Sequence, residues 1–171
     1  MKELIERLLY EEESTTLDFK EEQYVFENGT KYQKCELLKD ILAFANAWRR
    51  EDSYILIGVK EVKGGKSIVV GISEEEKLDD AKLQQHINQK INKPIHFEYK
   101  NISIEDKTVG VIKIPLENNI RPFYANNDCI HVKKNDVKIR RGSSTATATP
   151  DEIIDMSKDT LTVKDSPILN L

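Results

Sequence analysis

The stretch Leu37–Glu61, LLKDILAFANAWRREDSYILIGVKE, decides the fold because it joins an amphipathic helix directly to a buried strand. Apolar residues recur at steps of three and four up to Trp48, which predicts one buried stripe on a helix that begins near Tyr32. The polar run Arg49–Asp52 ends this helix. Tyr54–Val59 is then almost wholly apolar, which is typical of a strand covered on both faces.

Charged side chains follow this strand directly. Lys60 and Glu61 stand where the buried run ends, so a carboxylate at Glu61 would be fixed by a rigid element and still face solvent or a ligand. Glu61 is therefore the first candidate site residue.

The size and composition of the chain are those of one ordinary globular domain. It has 171 residues, of which 33% are charged and 39% hydrophobic, and a formal net charge of −4. This charge neither requires nor excludes a nucleic-acid partner. We predict an α+β fold, a mixed β-sheet with flanking helices, over residues 1–158. Residues 159–171 are predicted to be a C-terminal tail or the start of an omitted region.

The sequence shows no sign of a membrane partner. No apolar run approaches the roughly 18 residues of a membrane span, and MKELIERLLYEEE at the N-terminus has the pattern of an amphipathic helix. We therefore predict a cytoplasmic protein and interpret Cys35 and Cys129 as reduced core thiols. The three histidines lie far apart, which argues against a zinc site.

Alternating and helical periodicities place the other elements. In the strand Ser14–Lys20, Leu17 and Phe19 point one way and Asp18 and Lys20 the other. Asn28-Gly29 predicts a turn before the long helix. Further strands are predicted over Ser67–Ile72, which should form a hairpin with the buried strand, Ile95–Ile104, Thr108–Leu116, Cys129–Val132 and Val137–Arg141.

Two more helices and one loop complete the predicted order. Leu78–Ile91 has helical periodicity and is stopped by Asn92 and Pro94. Gly142–Thr145 is predicted to be a small-residue loop. The last helix starts at Pro150, with Thr149 as N-cap and Glu152 completing a capping box.

Several short strings, in this order, resemble the Schlafen AlbA-like domain family, and the resemblance runs from about Glu13 to Ile154. The strings are ESTTLDFK from Glu13, KDI from Lys39, AFAN from Ala43, IGVKE from Ile57, RPFY from Arg121 and RRGSS from Arg140.

The resemblance implies a nucleic-acid-binding α+β domain. Such domains are modules of bacterial regulators and defence proteins, and in animal Schlafens they form a metal-dependent ribonuclease that cleaves structured RNA such as tRNA. Carried over by position, the three nuclease carboxylates are Glu13, Asp18 and Glu61. Carboxylate oxygens suit Mg²⁺ or Mn²⁺ as the cofactor. Lys20, on the strand face of Asp18, is predicted to assist catalysis by pairing with the substrate phosphate.

Three departures from the family pattern bear on this site. Glu13 and Asp18 are five residues apart, so they share a side only if Glu13 precedes the strand or the strand bends. Asp18 stands where the family has Glu, and Glu61 stands where it has Asp. The usual Gly-Gly after the Ala-Asn string is replaced by WRRED, which adds Arg49 and Arg50 as RNA-contact candidates, while Trp48 is expected in the core.

A basic segment supplies the predicted phosphate contacts. Between His131 and Arg141 there are five Lys or Arg residues and one Asp. The predicted nucleic-acid-binding residues are Lys133, Lys134, Lys138, Arg140, Arg141, Ser143 and Ser144. The alternative interpretation is a solvated strand edge whose lysines discourage pairing with other chains. Likewise, the acidic residues Glu13 and Glu61 are explained equally by solvated surface positions.

These observations leave three functional hypotheses. The first is a Mg²⁺- or Mn²⁺-dependent endoribonuclease, and the alternative is a non-catalytic DNA- or RNA-binding module of a regulator or defence protein. A third is a dimerisation platform that binds no nucleic acid. The resemblance implies that animal Schlafens pair two such lobes around a groove, so a single lobe would have to form a homodimer to rebuild that groove. ATP binding is not predicted, because the sequence has no phosphate-binding Gly-x-x-x-x-Gly-Lys loop.

Overall fold

A computed structural model describes residues 1–25, 29, 31–117 and 121–159. The predicted turn at Asn28 and nearly all of the predicted tail lie outside these residues. The helices are α1 (Lys2–Leu8), α2 (Lys31–Asn46), α3 (Asp80–Asn88) and α4 (Pro150–Lys158), with a 3₁₀ turn at Glu74–Glu76. The strands are β1 (Leu17–Lys20), β2 (Ser53–Ile57), β3 (Val59–Lys60), β4 (Ile68–Val69), β5 (Glu98–Ile104), β6 (Lys107–Ile114), β7 (Lys138–Arg141) and β8 (Ser144–Thr147).

The central sheet has the strand order β1-β2-β6-β5. β1 and β2 pair in parallel, with Leu17 opposite Tyr54, whereas β2–β6 and β6–β5 are antiparallel. The parallel pair is connected through α2, because parallel neighbours need a long crossover. Two small hairpins, β3–β4 and β7–β8, lie beside this sheet. The predicted mixed sheet with flanking helices is therefore confirmed.

Both faces of the sheet are covered. On one face, α2 and α3 contribute Leu38, Ile41 and Leu83 to a core that includes Ile55 and Phe97. The other face packs against α1 and forms a second core. Its buried residues include Ile5, Leu9, Leu17, Phe19, Leu56 and Val111. A third, smaller core joins β7 to α4 and contains Ile139 and Met156. This double coverage explains the unbroken apolar run of β2.

Gly58 redirects the chain after β2. Its φ is +84°, and a Cβ built there would lie 2.8 Å from the backbone of Gly71. A residue without a side chain is therefore required where the chain leaves the sheet for the β3–β4 hairpin. The prediction that the buried strand forms a hairpin with Ser67–Ile72 is wrong in its partner: β2 pairs with β1 and β6, and it is the short strand β3, after the turn at Gly58, that pairs with β4.

The prediction of a core position for Trp48 is wrong. The helix ends at Asn46, and the Trp48 side chain is 42% exposed. Arg121 Nη1 donates to Asn46 O at 2.9 Å and Ala47 O at 2.8 Å, so the helix end is held by a distant side chain. The indole ring leaves the apolar stripe and lies against that guanidinium, 4.2 Å from Arg121 Cζ to the ring centroid.

The prediction of two reduced thiols is also wrong. Cys35 of α2 and Cys129 form a disulfide with Cα atoms 5.8 Å apart.

The predicted strand Cys129–Val132 is a single isolated bridge between its two end residues. The predicted loop from Gly142 is only the turn of a hairpin, because Ser144–Thr147 forms β8. No helix among the described residues is long and apolar enough to cross a bilayer.

Candidate nucleic-acid interface

Glu13 lies just before β1 and meets Glu61 there. Its Oε1 accepts a hydrogen bond from Phe19 N at 3.1 Å, and its backbone N–H donates to Glu61 Oε1 at 3.2 Å. Burial raises the pKa of Glu13; the Phe19 N–H opposes this, and the negative charges of Asp18 and Glu61 add to it. The two glutamates therefore meet at the N-terminal end of β1, and Asp18 is close enough for its charge to raise the pKa of Glu13.

Asp18 is neutralised by two cations. Arg140 Nη2 lies 2.8 Å from Asp18 Oδ1, and Lys20 Nζ lies 2.9 Å from Oδ2 without the direction of a good hydrogen bond. Lys20 Nζ is also 3.1 Å from Asp40, which accepts the hydroxyl of Tyr24 at 2.6 Å. Burial alone would lower the pKa of Lys20, but Asp40 and Asp18 outweigh it and raise that pKa.

This arrangement does not fit a divalent ion as it stands. Both Asp18 oxygens face cations, which would compete with an ion for the same lone pairs. Within residues 1–25, 29, 31–117 and 121–159, no three His, Cys, Asp or Glu side chains are grouped so that they could hold a metal. Glu13 and Glu61 are thus brought together, whereas Asp18 belongs to an ion-pair network.

Three of the predicted phosphate contacts have partners within the protein. Arg140 is buried and also donates to Ser14 O at 2.7 Å, so it is part of the interior. Lys138 Nζ lies 3.1 Å from Asp136 and 2.8 Å from Thr147 Oγ1. Arg141 makes a two-point contact with Glu152, at 3.0 and 2.6 Å. These side chains are committed to packing and ion pairs.

Lys133 and Lys134 are placed differently, on what we call the lysine loop, residues 128–136. Both side chains are exposed, and within the described part of the chain neither makes a salt bridge. Their backbone is held, because Lys133 N donates to Asp136 Oδ2 at 2.9 Å and Lys134 N to Asp128 Oδ1 at 2.7 Å. Asn135 N adds a bond of 2.8 Å to Ala125 O. Two exposed lysines without a salt bridge to any described residue therefore stand on a fixed loop, and the charge of Lys133 acts on the neighbouring Asp136 only at longer range.

The two predicted serines and two arginines fall elsewhere. Ser143 and Ser144 are exposed in the β7–β8 turn, where Ser144 Oγ donates to Arg141 O at 3.1 Å. Arg49 donates to four backbone carbonyls, including Ile114 O and Pro115 O, so it joins α2 to the end of β6. Burial lowers the pKa of Arg49 to about 10. Its predicted role in RNA contact is replaced by a structural one, while Arg50 is exposed.

Other residues of the family strings form contacts that sequence reasoning missed. Asn46 Nδ2 donates to Phe123 O and to Lys138 O, each at 2.8 Å, and its Oδ1 accepts from Phe123 N at 2.8 Å. Asp40 and Arg121 are likewise buried. The only available signal was their presence in the KDI, AFAN and RPFY strings, which does not show what they contact.

The mixed sheet with its parallel β1–β2 pair, and the motif residues assembled around β1, define an α+β domain of the Schlafen type. The chain belongs to the family described as Schlafen, AlbA_2, whose model matches residues 13–149. Membership suggests a function that involves nucleic acid. No curated protein matches the sequence significantly.

Two solved structures are similar to this fold. One is the DIP2311 protein of Corynebacterium diphtheriae, with a TM-score of 0.55 and 17% identity over 85% of this chain; the match spans only 24% of that protein. The other is the N-terminal domain of a Nitrosomonas europaea protein described as related to an ATP-dependent DNA helicase, RecG. It has a TM-score of 0.50 and 20% identity, over 86% of this chain and 92% of that domain. At these identities the likeness concerns the fold alone.

Proposed function

We propose that this domain is a non-catalytic module that binds DNA or RNA through the lysine loop, with Lys133 and Lys134 contacting phosphates. The observation that carries the proposal is that these two exposed lysines, among the described residues, make no salt bridge and stand on a loop held by side-chain and backbone hydrogen bonds. The family supplies the partner class.

Two physical reasons favour these lysines: within the described residues their charges are not already paired with carboxylates, and their loop is already ordered. Cations already paired with carboxylates, such as Lys138 and Arg141, would have to exchange one anion for another, with little net gain. Lys133 and Lys134 instead release condensed counterions when they meet phosphates, which makes binding favourable and dependent on salt. Because their backbone is already held, little loop entropy is lost on binding.

Binding is tested by fluorescence anisotropy with labelled tRNA and duplex DNA in EDTA over a series of salt concentrations. Reversing both charges, with Lys133→Glu and Lys134→Glu, should weaken binding at least about tenfold and reduce the salt slope by roughly two phosphate contacts. The matched control, Lys133→Arg with Lys134→Arg, keeps the charge and should bind as the parent does. Equal binding by the reversed variant, or binding that requires divalent metal, contradicts the proposal.

A Mg²⁺- or Mn²⁺-dependent endoribonuclease is the second candidate, and one contact favours it. Glu61 accepts the backbone N–H of Glu13 at 3.2 Å, so two of the three predicted carboxylate residues meet. Against it stands the pairing of Asp18 with Arg140 and Lys20.

The second candidate is tested by incubating purified protein with tRNA and Mn²⁺. Glu61→Ala should abolish cleavage, and Glu22→Ala, at an exposed acid outside the cluster, should not. Absence of cleavage at high enzyme concentration, or equal cleavage by Glu61→Ala, rules the activity out.

The homodimer stays a prediction, and light scattering that shows only monomer would contradict it.

A further inference from the structure

Trp48 is the single tryptophan of the chain and stands outside the three cores. Its side chain is 42% exposed, just beyond the end of α2. Tryptophan is highly buried on average, so an indole that leaves this much of its surface open at a fixed position is accessible to a ligand.

The indole is held from one side by a buried cation. Arg121 Cζ lies 4.2 Å from the ring centroid of Trp48, and Arg121 itself is only 4% exposed. Its guanidinium is fixed by the carbonyls of Asn46 and Ala47 and by an ion pair with Asp159. The ring therefore has a rigid backing, while part of its surface faces solvent.

An exposed cation accompanies the ring. Arg50 follows two residues later. Burial lowers the pKa of Arg121, and the charge of Arg50 adds a small contribution, which places the two cations near each other. The acidic residues next to it in sequence are engaged elsewhere: Glu51 accepts from Thr16, and Asp52 pairs with Lys113 at 3.0 Å. Within the described residues, Arg50 has no carboxylate partner.

We propose that Trp48 is a stacking platform for an unpaired nucleobase and that Arg50 contacts the adjacent phosphate. This inference rests on the proposed nucleic-acid binding and specifies its substrate class, namely single strands, loops or ends whose bases are accessible. Every base has an aromatic face, so an indole binds it with little sequence preference, and a neighbouring arginine supplies the backbone contact. The competing explanation is that Trp48 only shields Arg121 from water.

Because all tryptophan emission comes from Trp48, the platform can be observed directly. The unmodified protein is titrated with a single-stranded oligoadenylate of about ten nucleotides, and with a duplex in which the bases are paired. Stacking predicts saturable quenching of tryptophan fluorescence by the single strand, at the concentrations where anisotropy of a labelled strand reports binding. Much weaker quenching is expected with the duplex.

Two substitutions of Trp48 separate stacking from shielding, and one of Arg50 tests the phosphate contact. Trp48→Leu should weaken single-strand binding about tenfold, since one stacked base contributes on this order, whereas Trp48→Phe should retain most of it. Arg50→Gln should reduce the salt slope by about one contact. Circular dichroism of each variant, matched to that of the parent, confirms that the fold is retained.

The outcomes distinguish this inference from the proposed function. Strand binding with unchanged Trp48 emission, or equal affinity of Trp48→Leu, overturns the platform and leaves the lysine loop standing. Quenching by the single strand that persists when Lys133 and Lys134 are reversed without loss of affinity overturns the lysine loop and supports the platform. No binding of any nucleic acid overturns both.

Discussion

Arg140 Nη2 lies 2.8 Å from Asp18 Oδ1, and the two side chains are only 4% and 5% exposed. The residues are 122 positions apart in the chain, and the same guanidinium also contacts Leu17 O at 3.2 Å. One arginine thus joins β7 to the motif strand β1. A residue predicted to grip substrate phosphate instead organises the interior next to the candidate carboxylates.

Removing this arginine should be costly. Arg140→Met leaves Asp18 buried with Lys20 as its remaining cation, and we expect a loss of about 3 kcal/mol in the free energy of unfolding. Adding Asp18→Asn should recover part of that loss, because the uncompensated charge is gone. Urea unfolding of the three proteins measures both effects. A single variant within about 1 kcal/mol of the parent would show that the pair is unimportant for stability.

Gly58 and Gly64 allow a matched comparison of what a side chain costs at a glycine with positive φ. Both have positive φ, +84° and +74°, but a Cβ at Gly58 meets the Gly71 backbone, whereas nothing lies within 4 Å at Gly64. Gly64→Ala should therefore cost about 1 kcal/mol, from conformation alone, and Gly58→Ala at least about 3 kcal/mol. Urea midpoints give the comparison, and equal losses would contradict the close approach.

The start of α4 should show a pH signature. Hydrogen bonds from Arg141, followed by the Thr149 N–H, lower the pKa of Glu152 to about 2. Because the folded value lies below the ordinary 4.5, the stabilisation is present above pH 4.5 and is lost as pH falls toward 2.

Carbon NMR titration of the Glu152 carboxyl measures this shift directly. In the parent the apparent pKa should be near 2, and in Arg141→Gln it should rise toward 4.5. An ordinary pKa in the parent protein, or no response to the substitution, would mean that the ion pair does not persist in solution.

The Cys35–Cys129 disulfide should add to stability, because it closes a loop of 94 residues. Reduction is expected to lower the free energy of unfolding by about 2–4 kcal/mol. The variant Cys35→Ser with Cys129→Ser should be equally destabilised and insensitive to reductant. Thiol titration of the unfolded protein without reductant should find none; two reactive thiols would refute the pairing.

The elements predicted from sequence were those with local signals. The α2–β2 unit follows from periodicity, and the α4 capping box follows from Thr149 and Glu152, which the structure confirms. β8 was missed because Ser144–Thr147 has almost no apolar alternation. The end of α2 was placed too late because Arg121, 75 residues away, holds the carbonyl of Asn46.

The candidate site was harder to predict, because its chemistry depends on distant partners. Sequence identified Asp18, Arg140 and Lys138 as charged, but not that Asp18 and Arg140 neutralise each other or that Lys138 meets Asp136. Alternation assigns a side chain to a face of a strand; it does not say whether that face is later covered. The exposure of Lys133 is predictable because it begins the polar run Lys133–Asp136 that follows Val132.

The outer edge of β1 is closed by side chains. Glu13 Oε1 accepts a hydrogen bond from the Phe19 N–H, and Arg140 Nη2 donates one to the Leu17 carbonyl. Leu17 O also accepts from Ser14 N at 2.9 Å and would stay paired without Arg140, whereas truncating Glu13 would leave the Phe19 N–H unpaired on an edge strand, which is a template for intermolecular pairing and aggregation. The substitution that looks like an ordinary knockout, Glu13→Ala, would therefore also unmask a self-association surface, and soluble yield would fall for reasons unrelated to chemistry.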